Sequence, residues 1–271
     1  MSFGFGFSFP ANIGVHGLWT PAQITTALWL DAAETSTITL NGTTVSQWSD
    51  RSGNGRNATQ STASKQPTYI VSGINGKPAL AFNAVASNFM NTGTLNVAMR
   101  NDYTVIATLF TANTSTGLNW YLNPGFLGGE RDGATTDHGL GFSGLTPITG
   151  IGLPDTTLQA TNPVSSNVSA ITYWDRTSST GVCRWYLNGT ANGTGTGASG
   201  ARTASLGMAL GSMSDIGASP WLSFTVGEIV VTNSVLSTSN RQLVEGYLAW
   251  KWGLQSSLPI GHPYKNVPPM S

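Results

Sequence analysis

Between residues 27 and 232 the chain is a succession of short β-type stretches broken by Gly, Asn and Pro, and that pattern leaves few architectures open. Stretches with strand composition fall at 27–31, 45–48, 67–71, 78–82, 103–110, 119–122, 139–142, 170–176, 181–187, 206–211 and 224–232. Many short strands with frequent turn signals build a sandwich or jelly roll rather than a helical bundle or an alternating α/β sheet. Asn188-Gly189 at the end of "CRWYLNGT" is a strong hairpin signal, and 188–200, rich in Gly and Thr, reads as the flexible loop after it. At 271 residues such a fold closes a full two-sheet core without disulfides.

One stretch breaks the β pattern. Over 239–253, Leu243, Val244, Tyr247, Leu248 and Trp252 recur on one helical face, Ser239 and Gln242 fit a capping box, and Gly253 fits a left-handed C-cap. Gly246 inside that helix costs about 1 kcal/mol relative to alanine, which points to close packing on its side. Pro259, Pro263, Pro268 and Pro269 then keep the tail extended. At the other end, Phe3, Phe5, Phe7 and Phe9 alternate with Gly4, Gly6 and Ser8, so a strand here has four rings on one face and a nearly bare other face. Two readings fit: a first strand of the domain itself, or an arm that docks into a partner subunit. The chain is therefore divided into a Phe/Gly arm at 1–17 and a sandwich domain at 18–271.

The segments "LWLDA", "VSQWSDRSGNGRNATQ", "INGKPALAF", "WYLNGT", "GEIVVTN" and "EGYLAWKWGL…LPIGHPY" resemble laminin-G-like, concanavalin A-type domains of bacteriophage structural proteins and bacterial surface proteins. The resemblance covers about 18–269, is strongest at its two ends, and lapses from about 111 to 167. It implies a mainly β fold: a two-sheet antiparallel jelly-roll sandwich with one C-terminal helix and an extended N-terminal arm. It also implies a non-catalytic virion protein, as capsid decoration or a head or tail fibre component, whose lectin-like domain contacts host or environmental glycans. The alternative is a free carbohydrate-binding lectin at a bacterial surface.

Composition narrows the partners. Only 9% of residues are charged, and 12 basic residues balance 12 acidic ones. Such a chain offers no electrostatic footprint for nucleic acid, and no apolar run is long enough for membrane insertion. Near-zero net charge favours association, so a homo-oligomer and contacts to other virion proteins through the arm are expected. The N-terminus lacks the basic region and apolar core of a signal peptide, so assembly in a host cytoplasm and release by lysis are expected. The lone Cys183, within an alternating stretch, reads as a buried strand thiol.

No catalytic constellation stands out. Retaining glycoside hydrolysis needs two carboxyls about 5 Å apart, and the nearest approach is Glu130 and Asp132 in a glycine-flanked loop, with no third acid following. The expectation is no active site and no enzyme. A binding site is the better prospect. Asp132, Asp137 and Asp155 are candidate oxygen ligands for calcium, with Asn113 or Asn119 in reach if the loops converge. Asp50 and Asn54 read as turn formers. Trp29, Trp48, Trp185 and Trp252 read as core, whereas Trp120, Tyr121 and Trp221 lie beside the unrecognised loops as glycan-contact candidates.

Overall fold

The structure is a computed structural model and describes residues 17–204 and 207–271. Among these residues the chain is mainly β, with every pairing between strands antiparallel, and it forms a nearly closed jelly-roll-like sandwich with a C-terminal helix. One layer is built on Tyr103–Thr111, flanked by Phe224–Thr232 on one side and Ala170–Thr177 on the other. Val182–Leu187 and Thr190–Thr196 extend that layer on one side, and Leu28–Asp31 and Lys77–Phe82 extend it on the other. The facing layer runs through Met90–Asn91, Ala209–Leu210, Gly125–Gly128, His138–Ser143, Thr146–Ile151 and Thr156–Gln159.

The central strand shows why both of its faces are dry. Tyr103, Val105, Ala107 and Leu109 alternate into the core between the layers, where they meet Phe126, Phe142 and Trp174. Ile106, on the opposite face, packs under the C-terminal helix with Trp29, Ile171 and Val230. A strand covered on both sides reads as a continuous apolar run, as 103–110 does. Cys183 is buried in the inner core, and burial pushes its thiol up to about 12, so it is inert.

The helix spans Thr238–Trp252. Its N-cap is Ser237, whose hydroxyl accepts from the Asn240 amide, so the cap lies two residues before the expected Ser239 box. Gly253 ends it at φ 68°, as expected for a left-handed cap. Gly246 abuts the tail: a Cβ there would fall 2.5 Å from Tyr264. Underneath, Gly227 sits at a bulge between Val226 and Glu228, and a Cβ at that position would lie 2.5 Å from the Trp252 ring. The two glycines let strand, helix and tail stack at close range.

Three local expectations are corrected. Residues 119–122 form no strand. Trp120–Leu122 is a 3-10 turn, closed because the Asn123 amide group donates to the carbonyls of Gly117 and Asn119 while its oxygen accepts from the Gly117 N–H. Residues 190–196 are not a loop but a strand, paired with Val182–Leu187 across an Asn188-Gly189 turn in which both residues have positive φ. Within 206–211 the strand is only Ala209–Leu210.

Candidate functional site

The segment where family resemblance lapses supplies the largest cleft among the described residues. It has a volume of about 510 Å³ and lies at the edge of the second layer. Trp120 and Tyr121 come from the 3-10 turn, Glu130 to Ala134 and Asp137 from the loop after Gly125–Gly128, and Asp155 from the turn before Thr156–Gln159. Isolated parallel bridges, Glu130 to Ser214 and Gly125 to Trp221, tie that loop to 212–221, and the cleft runs on toward Ser214, Asp215 and Ile216.

The aromatic pair is fixed by glycines. Trp120 is only 1% exposed because its ring fills the space over Gly150, where a Cβ would lie 2.1 Å from it. Its indole N–H donates to Asp155 Oδ1 at 3.1 Å, which anchors that carboxylate beside the cleft. Tyr121 meets Trp120 edge to face at 6.0 Å and stays half-buried at the cleft wall. Trp120 is therefore floor and Tyr121 the ring that ligand can touch. Trp221 stands next to the cleft residue Pro220, with its indole donating to the Gly217 carbonyl, and does not line the cleft.

Electrostatics set this place apart. Five of the chain's twelve acidic residues, Glu130, Asp132, Asp137, Asp155 and Asp215, line the cleft and its extension, against one of its twelve basic residues, Arg131. Arg131 is already engaged, its guanidinium paired with the buried Asp215 carboxylate. Burial, reinforced by Asp137, Asp132, Asp215 and Asp155, raises the Glu130 carboxyl to about 7. Asp137 is 3% exposed and burial raises its carboxyl too. Its Oδ2 accepts the Arg131 amide N–H, while Oδ1 has no partner among the described residues. The neighbouring His138 faces the core, stacked on Tyr103, and burial lowers it to about 3, so it stays neutral.

The structure thus brings Trp120, Tyr121, Asp132, Asp137 and Asp155 to one cleft and leaves Trp221 at its border. Asn113 and Asn119 are spent locally, the first on the carbonyls of Ser115 and Gly144 and the second on the Tyr121 hydroxyl. Among the described residues no group of three or more His, Cys, Asp or Glu side chains is placed to hold a metal ion. The three aspartates share the cleft without forming the six- to eight-oxygen cage calcium takes. Asp50 accepts from the amides of Trp29, Ser52 and Arg56, a turn-building role. Phe3, Phe5, Phe7 and Phe9 lie outside the described residues. Sequence reading missed the weight of Glu130 and missed Asp215 altogether. The two are far apart in the chain, and only the bridge from Glu130 to Ser214 makes them neighbours.

No family model and no curated protein sequence matches the chain. Solved structures do. A sialidase of Trypanosoma rangeli in complex with sialic acid superposes with a TM-score of 0.54 at 16% identity, covering 84% of this chain and 33% of the sialidase. Domain 4 of a GH43 extracellular arabinanase from Geobacillus stearothermophilus, in complex with arabinotriose, gives 0.55 at 15% identity over 79% of this chain and 95% of that domain. The receptor-binding domain of botulinum neurotoxin type G gives 0.54 at 12% identity over 84% and 52%. The chain thus spans about a third of the sialidase's length. At these identities the likenesses establish a shared fold, a sandwich of lectin and glucanase type. They also correct the expectation that the chain is not an enzyme: the solved chains that share its fold include sialidases and a domain of an arabinanase.

Proposed function

We propose that this chain is a carbohydrate-recognition domain and that the Trp120–Asp155 cleft is its sugar site. The observation that carries the reading is the pairing, in one cleft, of an accessible aromatic ring, Tyr121, with several acceptor carboxylates. Sugars present flat C–H faces and rows of hydroxyl donors, and a few polar groups converging in a lined cleft are what orients a small ligand. The arabinanase domain holding arabinotriose and the sialidase holding sialic acid support the reading by fold. A glycan screen followed by calorimetry tests it. The expected result is binding that drops about tenfold, or about 1.4 kcal/mol, in Tyr121→Ala. Absence of any glycan ligand, or binding indifferent to Tyr121 and to Asp155→Asn, overturns it.

The same domain fits a virion setting, as capsid decoration or a fibre component docked through Phe3, Phe5, Phe7 and Phe9. What supports this is the Phe/Gly alternation, the low charge and the resemblance of the chain's two ends to phage structural proteins. Labelling of purified particles with antibody to the chain is expected to mark them. Unlabelled particles favour the free surface lectin.

A further inference from the structure

The cleft's charge is more specific than its shape. The chain as a whole is neutral, yet five carboxylates gather around this one opening and its only cation is bound to one of them. Asp137 adds an independent sign that a partner is missing. It is buried, lines the cleft, and keeps Oδ1 without a donor. Gly152 leaves the room that keeps this oxygen uncovered, since a Cβ there would stand 2.1 Å from it. A buried carboxylate oxygen without a donor is costly, and natural folds keep one where a ligand supplies the missing charge.

We propose that the cleft selects glycans bearing a free amino group, and that Asp132, Asp137 and Asp155 supply the field that holds the ammonium. This rests on the reading of the cleft as a sugar site. A carboxylated sugar brings a like charge against five acids, which disfavours it. A neutral or N-acetylated sugar offers hydroxyl and amide donors but no charge. An ammonium offers three N–H donors and a full positive charge, and the face of Tyr121 adds a cation–π partner. Charge attraction acts over the span of the cleft, so it does not require the close convergence that a metal cage does.

The test titrates the full chain, in low salt, with three probes: a fully de-N-acetylated chito-oligosaccharide, its N-acetylated counterpart and a sialylated oligosaccharide. The de-N-acetylated probe is expected to bind at least about tenfold tighter than the N-acetylated one, with the sialylated one weakest and the gap narrowing as salt is added. The exposed Asp132→Asn and the wall variant Asp155→Asn are expected to shrink the gap while both proteins stay folded by circular dichroism. Equal binding of the first two probes overturns amine selection and leaves the sugar site standing. A gap unchanged in both variants overturns the assignment to these carboxylates. No binding of any probe, together with a blank glycan screen, overturns the sugar site itself.

Discussion

Two buried acidic centres of this molecule are handled in opposite ways. Under the helix, the fully buried Glu228 accepts from the indoles of Trp29 and Trp252 at 2.7 and 2.8 Å and from the Tyr247 hydroxyl at 2.9 Å. Lys251 lies 2.7 Å from it and 2.6 Å from Asp31, which also takes Arg51 at 2.5 Å. Burial raises the Glu228 carboxyl, with Lys251 pulling the other way. At the cleft, by contrast, five carboxylates share one engaged arginine, and Asp137 keeps an oxygen unpartnered. A centre whose donors are all supplied from within locks strand to helix. A centre left short of donors and open to solvent is built to receive them from outside.

The sharpest way to break this contrast is to remove each centre in turn. Glu228→Ala leaves Lys251 and two indoles facing a void and is expected to cost about 3–5 kcal/mol in urea unfolding. An equal loss from Asp132→Asn would make both centres structural. Next in size, Gly227→Ala drives a methyl into the Trp252 ring above the same hub and is expected to cost about 1–3 kcal/mol.

Glu130→Gln sharpens the contrast from the cleft side. The Glu130 carboxyl is raised from 4.5 to about 7 in the fold, so between those values the folded state keeps a proton that the unfolded chain has released. Its presence therefore costs stability progressively as pH rises through that window, and the cost is complete above it. The variant is expected to be the more stable protein above about pH 7, by on the order of 1 kcal/mol after solvent screening, with the gain vanishing towards pH 4.5. A gain independent of pH would show that packing, and not charge, is responsible. Smallest of all, Asp132→Asn on the exposed rim is expected to change stability by less than about 0.5 kcal/mol while weakening ligand binding.

The sequence by itself determined the frame. Alternation and turn residues specified an antiparallel sandwich, the 3.6-residue period specified the helix, and the segments "LWLDA", "GEIVVTN" and "LAWKWG" carried the hub, because Trp29, Asp31, Glu228, Lys251 and Trp252 stand in them. Local pattern is visible when a residue's neighbours in space are also its neighbours along one strand or helix, or are marked by a repeated motif. It misled at 119–122, where Asn123 side-chain bonds closed a 3-10 turn in a stretch of strand-forming composition. It misled again at 190–196, where the ladder to Val182–Leu187 ordered a Gly-rich stretch. Tertiary structure alone decided the cleft. Glu130, Asp155 and Asp215 come from three loops separated by whole strands, and no spacing along the chain encodes their meeting. Burial and mutual repulsion, which set their chemistry, exist only once the loops have met.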